Sequence, residues 1–197
     1  MKKLFALLAC TIMLSACNEA KNETQKVETD ESFNKVKTAG VFVLGLDDSF
    51  PPMGFRDKEN NIIGFDIDLA KEVCARLGIE LKTQPISWDA KEQELNTRKI
   101  DCIWNGMSVD SARAKAMNLS DPYLKNRMIF TVKDKALANL ESLKGKKIAV
   151  QNGSTAQKLL DASEAGKAAK EIVPFDDNQT ALMNLEKGGV DAVFLDE

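Results

Sequence analysis

A short pattern of residues occurs twice in this chain and constrains its fold more than any other feature. Residues 95–104 and residues 185–194 both follow the order L-x4-[IV]-D-[CA]-[IV]-[FW]. Each copy reads as a helix that runs into a short buried strand, because helical spacing of apolar residues gives way to a continuous apolar run. A further strand precedes each copy, at residues 41–46 and 147–151. The matched order of elements predicts two similar α/β lobes.

Strands and helices alternate along most of the chain. The predicted strands are residues 41–46, 79–84, 101–105, 147–151, 171–174 and 191–195, and the predicted helices are residues 65–77, 89–98, 110–116, 154–163 and 178–187. Such alternation predicts open, mostly parallel sheets, whose strand ends carry the binding site. A ligand is then expected in the cleft between the two lobes.

The longest predicted helix has a regular apolar pattern. Four apolar residues recur in it at helical spacing: Phe65, Leu69, Val73 and Leu77. This spacing predicts that these four side chains face the core, and that the charged residues, Asp66 among them, face solvent and form no metal site. Gly64 and Gly78 are predicted to begin and end the helix.

The N-terminus has the features of an exported lipoprotein. Two lysines precede an apolar stretch at residues 4–14, which is too short to span a bilayer and is typical of a signal peptide. The sequence LSAC at residues 14–17 resembles the lipobox of bacterial lipoproteins. The resemblance implies that residues 1–16 are a lipoprotein signal peptide and that Cys17 carries the lipid. A plain secretory signal with a spare cysteine is the alternative.

The segment after the signal is polar and acidic. Residues 18–31 contain no aromatic residue and one large aliphatic residue, too little to bury, and we assign residues 17–34 to a flexible tether. The formal net charge of the chain is −3, and losing the two lysines of residues 1–16 makes it about −5. This acidic balance argues against nucleic acid or an anionic membrane surface as a partner.

The cysteines and the missing histidine restrict the chemistry. The chain contains four cysteines and no histidine, which excludes histidine-based triads and zinc sites. Cys74 and Cys102 lack the spacing of a metal or redox site. In an oxidising compartment a disulfide between them is permitted, and free buried cysteines are the favoured alternative. We therefore expect no metal and no cofactor.

Two separate segments have the composition of a carboxylate-binding site. Arg113 closes the run WNGMSVDSAR, and Gly153-Ser154-Thr155 opens a predicted helix. A guanidinium holds a carboxylate through two parallel N–H bonds, and a Ser/Thr pair at a helix start adds hydroxyls and free backbone N–H groups. The alternative is a surface arginine and an ordinary helix cap.

Four further motifs in a fixed order carry a family resemblance. They are FPPMGF at 50–55, GFDIDLA at 64–70, SDPY at 120–123 and LKGKKI at 143–148. From about residue 36 onward the chain resembles the extracytoplasmic solute-binding proteins of polar amino-acid ABC transporters. The resemblance implies the type II periplasmic-binding-protein fold, with lobes at residues 35–124 and 125–197 that close on a free amino acid.

The resemblance implies roles for individual residues of the cleft. Arg113 corresponds to the arginine that pairs with the ligand α-carboxylate, and Ser108 and the backbone of Gly106 lie where the family adds hydrogen bonds. Ser154 and Thr155 correspond to the contribution of the second lobe to the same carboxylate.

Four other residues complete the implied site. Asp196 matches the acid that takes the α-ammonium, and its alternative is a solvated aspartate at a strand end. Phe50 and Trp88 fall where the family places apolar residues over and under the ligand side chain, and local packing is the alternative for both. Asp47 ends the first strand and is a candidate for contact with a polar or basic ligand side chain.

The chain departs from the family pattern in two respects. Trp104 and Asn105 are bulkier than the small residues common at these positions, which predicts a narrower pocket. The chain also ends at Glu197, directly after the second repeat, whereas family members continue. We therefore expect an incomplete second lobe with its C-terminal part missing and with unpaired strand edges.

Together these features predict a lipid-anchored substrate-binding component of an amino-acid ABC importer, at the extracytoplasmic face of the cell envelope. Its expected partners are a free amino acid and the transporter permease, and it contacts the membrane only through its lipid. We expect no enzymatic activity and no nucleic-acid partner. The alternatives are a ligand-sensing module for a membrane partner and, less favoured, a cyclohexadienyl-dehydratase-like enzyme, which share the two-lobed architecture.

Overall fold

The computed structural model describes residues 30–197, so the predicted signal peptide, Cys17 and most of the predicted tether lie outside the described residues. The helices are α1 Ser32–Ala39, α2 Phe65–Leu77, α3 Lys91–Asn96, α4 Ser111–Ala116, α5 Thr155–Ala162, α6 Glu164–Ala168 and α7 Asn178–Glu186. The strands are β1 Val41–Leu46, β2 Ser49–Phe50, β3 Gly54–Arg56, β4 Ile62–Ile63, β5 Glu80–Pro85, β6 Cys102–Ile103, β7 Met128–Val132, β8 Lys147–Gln151, β9 Glu171–Phe175 and β10 Ala192–Asp196. Three short 3₁₀ turns cover Trp88–Ala90, Lys135–Leu137 and Leu140–Leu143.

Every predicted strand and helix is present, with ends shifted by a few residues. The elements that the sequence did not predict are α1, α6, β7 and the strands β2 to β4. Strands β2 to β4 have only two or three residues each, too few to produce a readable alternation. Helix α1 begins at Ser32, inside the segment assigned to the tether.

The strands form two main sheets and one small one. The first main sheet has the order β5-β1-β6 and is parallel throughout. The second has the order β7-β10-β8-β9 and is parallel except for β7, which runs antiparallel to β10. This confirms the predicted mostly parallel sheets. We call the part built around the first sheet the first lobe, and the part built around the second sheet the second lobe.

The repeated motif makes the same contacts in both lobes. The backbone N–H of Asp101 donates to the carbonyl of Val43 over 2.8 Å, and the Asp101 carboxylate accepts the Val43 N–H over 2.8 Å. Asp191 makes the same pair of bonds with Lys147, at 2.9 and 2.8 Å. Each aspartate therefore fixes the register of its strand, β6 or β10, against the neighbouring strand β1 or β8.

Strand β8 shows how the second lobe buries its core. Its side chains alternate between two apolar clusters, with Ile148 and Val150 packed on one face and Ala149 on the other. Leu160 of α5 belongs to the first cluster, and Ala181 of α7 belongs to the second. The central strand is thus covered on both faces by helices, as a continuous apolar run in a parallel sheet requires.

Helix α2 presents a different face to the core from the one predicted. Its buried residues are Asp66, Ile67, Ala70 and Cys74. Phe65, Val73 and Leu77 are 44%, 40% and 37% exposed, so the prediction that they face the core is wrong, as is the prediction that Asp66 faces solvent. A spacing of four residues drifts about 40° at each step around the helix, and the carboxylate of Asp66 is held inward by hydrogen bonds.

Other sequence predictions for the first lobe have clear outcomes. Gly64 and Gly78 bound α2 as predicted, with Gly78 in the left-handed conformation at φ 66°. Cys74 is buried, Cys102 is half-buried, and both are free thiols. Between residues 30 and 197, no helix combines the length and the apolarity that a membrane crossing requires.

Candidate ligand-binding cleft

A cleft lies between the two lobes, where strand ends of both sheets meet. The residues that line it are Phe50, Trp88, Asn105, Gly106, Met107, Ser108, Arg113, Gln151, Ser154, Thr155 and Asp196. All the predicted ligand residues except Asp47 are in this set. The fold therefore brings together residues that stand more than a hundred positions apart in the sequence.

Arg113 lies on α4 and is only 7% exposed, so the alternative of a surface arginine is wrong. Its Nη1 donates to the carbonyl of Ser108 and to the hydroxyl of Thr155, both over 2.8 Å. The second bond crosses from the first lobe to the second. Among residues 30–197, Nη2 of this guanidinium has no hydrogen-bond partner, which leaves its N–H groups available to an anion.

The side chains of Ser154 and Thr155 have different roles at the start of α5. Ser154 is the N-terminal cap of this helix, and its hydroxyl accepts the N–H of Gln157 over 3.0 Å. The alternative of an ordinary cap therefore holds for the side chain of Ser154. Thr155 differs, because its hydroxyl faces Arg113. The loop before them is tied to the helix, since Gly153 N–H donates to the Gln157 side chain over 2.8 Å.

Asp196 ends strand β10 and reaches the cleft from the second lobe. Its carboxylate accepts a hydrogen bond from the side chain of Asn126. Burial raises the pKa of Asp196 above its usual range, while the bond from Asn126 and the charge of Arg113 act in the opposite direction. Within residues 30–197 this carboxylate has no ion-pair partner, so a cation placed beside it would relieve the cost of its burial.

The backbone around Gly106 is closely packed beneath the cleft. Its N–H donates to the carboxylate of Asp66 over 2.6 Å, and the same carboxylate accepts the hydroxyl of Tyr123 over 2.7 Å. Gly106 has φ +59°, and a Cβ there would lie 3.2 Å from Met53 and 3.4 Å from Phe50. A residue without a side chain is therefore required where this loop passes the Phe50 ring.

Asp47 does not line the cleft but supports a residue that does. It is 7% exposed, and its carboxylate accepts the N–H of Ser49 over 2.8 Å and the side-chain amide of Gln151 over 2.7 Å. Burial raises the pKa of Asp47, while both hydrogen bonds lower it. Asn105 accepts the Asp47 N–H over 3.1 Å. The carboxylate thus joins the first lobe to the end of strand β8.

Gln151 and Lys91 are residues of this region that the sequence reasoning missed. Gln151 lines the cleft, and its only signal in the sequence is that a polar residue directly follows the apolar run at 148–150. Lys91 is 2% exposed and donates to the carbonyl of Gly153 in the other lobe over 2.9 Å. Nearby, Asn152 donates to Asp89 over 3.1 Å. Several bonds therefore connect the lobes beside the cleft.

Comparisons with known proteins identify relatives of this chain. Residues 42–193 match the sequence profile of the bacterial extracellular solute-binding proteins, family 3. The chain is 28% identical over 166 residues to the L-cystine-binding protein TcyJ of Escherichia coli, which covers 83% of this chain and 61% of that protein. The chain spans about three fifths of the length of the curated relatives it matches.

Solved structures agree with the fold. A substrate-binding protein of an ABC uptake transporter from Streptococcus pneumoniae, with bound histidine, superposes with a TM-score of 0.80 at 32% identity, covering 85% of this chain and 70% of that one. Holo ArgBP from T. maritima superposes with a TM-score of 0.76 at 38% identity, covering 83% of this chain and 72% of that one. These similarities establish a type II periplasmic-binding-protein fold with two α/β lobes.

Proposed function

Because this chain belongs to the bacterial extracellular solute-binding proteins of family 3, we propose that it is the substrate-binding component of an amino-acid ABC importer. One observation carries the proposal. Within residues 30–197, one cleft contains the buried guanidinium of Arg113, whose Nη2 has no hydrogen-bond partner there, and the carboxylate of Asp196, which has no ion-pair partner there. A zwitterion that leaves water needs both of its charges matched and hydrogen-bonded, and these two groups match a free amino acid.

In this proposal, the α-carboxylate of the ligand binds the guanidinium of Arg113. Thr155 contacts the same guanidinium from the second lobe, so the carboxylate binds where both lobes contribute hydrogen bonds. Ser154 and Ser108 also line the cleft. Two parallel N–H bonds from a guanidinium are stronger and more directional than the bonds of an ammonium group.

The α-ammonium group binds Asp196 and the backbone near Gly106. Burial raises the pKa of the Asp196 carboxylate, and a cation beside this carboxylate would relieve the cost of its burial. Phe50 and Trp88 line the rest of the cleft and stack against the ligand side chain. Aromatic faces favour planar or cationic groups, which suits the histidine and arginine found with solved relatives.

The proposed location of the protein is the extracytoplasmic face of the membrane, where it delivers its ligand to the transporter permease. The support is the lipobox-like sequence LSAC, in which Cys17 accepts the lipid, together with a polar segment that follows it. A lipid anchor keeps the binding protein close to its transporter and raises the effective concentration of the two partners.

The test is a thermal-shift screen of the purified protein with the twenty amino acids, cystine and ornithine. A ligand at one hundred times its dissociation constant adds about 2.7 kcal/mol to the free energy of unfolding if it binds only the folded state. We expect a raised melting temperature with at least one L-amino acid and none with its analogue that lacks the α-carboxylate. Absence of a shift with every compound would refute the proposed function.

A further inference from the structure

A buried lysine connects the two lobes directly behind the cleft. Lys91, the first residue of α3, is 2% exposed. Its Nζ donates to the carbonyl of Trp88 over 3.0 Å and to the carbonyl of Gly153 over 2.9 Å. The first carbonyl belongs to the first lobe, and the second belongs to the second lobe. One ammonium group therefore holds both walls of the cleft.

The surroundings of this ammonium group compensate for its removal from water. The Nζ lies 5.0 Å from the centroid of the Trp88 ring and 3.3 Å from the carboxylate of Glu92. A buried charge is costly unless it is paired and hydrogen-bonded. Since two of its hydrogen-bond acceptors are backbone carbonyls of different lobes, separation of the lobes would remove one of them.

The hydrogen bond from Lys91 to Gly153 positions the residues that we propose bind the ligand carboxylate. Gly153 directly precedes Ser154 and Thr155, and it is fixed to α5 through the side chain of Gln157. A Cβ at Gly153 would lie 2.8 Å from the Cα of Asp89, so the two loops touch backbone to backbone. A bond to the carbonyl of Gly153 therefore sets the position of the residue pair that faces Arg113.

From these contacts we propose that Lys91 is a positioning residue for ligand retention: it latches the Gly153 loop of the second lobe to Trp88 of the first when the cleft is occupied. The inference rests on the proposed function, because a latch has a consequence only if a ligand is enclosed. Ligand release requires the lobes to separate, and separation breaks the bond between Lys91 and Gly153. The latch acts on release and not on entry, which precedes contact between the loops.

The experiment measures association and dissociation rates by stopped-flow tryptophan fluorescence, because Trp88 lines the cleft. The probes are L-arginine, L-histidine and L-cystine. The variant is Lys91→Met, which keeps the aliphatic stem and removes the ammonium group. The matched control is Lys99→Met, since Lys99 is exposed and pairs with Glu94 in its own lobe. We expect Lys91→Met to raise the dissociation rate about tenfold to a hundredfold, with an unchanged association rate.

A purely structural role predicts a different result. In that case Lys91→Met would lower the melting temperature of the unliganded protein and leave the dissociation rate of the folded fraction as in the wild type, which would overturn the latch. If Lys91→Met does not fold, Lys91→Gln is measured in the same way. A wild-type protein that binds none of the probes overturns the proposed function and the latch together. Normal binding with unaltered release from both variants overturns the latch alone.

Discussion

Replacing Arg113 by lysine tests the central contact of the proposed cleft. Arg113 is 7% exposed, and its Nη1 already donates hydrogen bonds to the carbonyl of Ser108 and the hydroxyl of Thr155. The ligand carboxylate is left with the N–H groups of Nη2 and with Nε, which lies 3.9 Å from the carboxylate of Asp110. A lysine ammonium has three N–H bonds on a single atom, so it cannot satisfy the two protein acceptors and also form a two-bond fork with a carboxylate.

The expected loss of binding free energy follows from this change in hydrogen bonding. Arg113→Lys breaks a buried, hydrogen-bonded charge pair with the ligand, and truncation of one partner of such a pair costs about 2 to 5 kcal/mol. At about 1.4 kcal/mol for each factor of ten, the dissociation constant should rise about 30-fold to 4,000-fold. The charge is retained, so we expect the fold of the unliganded protein to persist.

Isothermal titration calorimetry of wild type and variant, with the amino acid that gives the largest thermal shift, measures this loss directly. Arg76→Lys is the matched control, because Arg76 is exposed on α2 and pairs with Glu72 of the same helix. We expect the control to bind as the wild type does. An unchanged affinity in folded Arg113→Lys would refute the assignment of Arg113 to the ligand carboxylate.

Four further predictions concern the cleft and the anchor. Asp196→Asn should weaken amino acids far more than their des-amino analogues in calorimetry, because only the former carry the charge that Asp196 neutralises. Since the pKa of Asp196 is raised by burial, affinity should fall as the pH drops through that raised value, and Asp196→Asn should remove this dependence. Gly153→Ala should lower affinity in calorimetry at least tenfold, because its Cβ would lie 2.8 Å from the Cα of Asp89 and hold the loops apart. Cys17→Ser should move the protein from the membrane fraction to the soluble fraction on immunoblots, because it removes the thiol that accepts the lipid.

Each of these predictions has a result that contradicts it. Equal losses for amino acids and des-amino analogues would reject the ammonium role of Asp196, and an affinity independent of pH in the wild type would do so separately. Wild-type affinity in Gly153→Ala would show that the loops need not touch for binding. Continued membrane attachment of Cys17→Ser would refute the assignment of the lipobox.

The elements of the fold could be predicted from sequence because their signals are local. Strand β8 is an apolar run that is buried on both faces, and α2 is bounded by glycines, so each can be recognised from adjacent residues. The strands of the small sheet have two or three residues, which is shorter than any readable period. Local pattern therefore predicted most of the regular elements of both lobes and missed α1, α6, β7 and the strands of the small sheet.

The cleft was predictable only in part, for a different physical reason. Arg113 and Thr155 have recognisable chemistry, and the structure brings them into contact. Lys91 stands among charged and polar residues, KEQELN, that read as a solvated helix. Its burial depends on a carbonyl 62 positions away. A contact between residues this far apart leaves no periodic pattern in the sequence. The inward turn of Asp66 has the same origin, because its partners come from distant loops.

The repeated aspartates set the strand register in the same way in both lobes. Asp101 and Asp191 fix the register of their strands, and the cleft residues Gly106 and Asp196 each follow five positions later. Distance along a strand is counted in residues, and one added residue turns every later side chain to the opposite face. Substitutions inside either five-residue interval can therefore alter which ligand fits, whereas an insertion or deletion there would withdraw one half of the site.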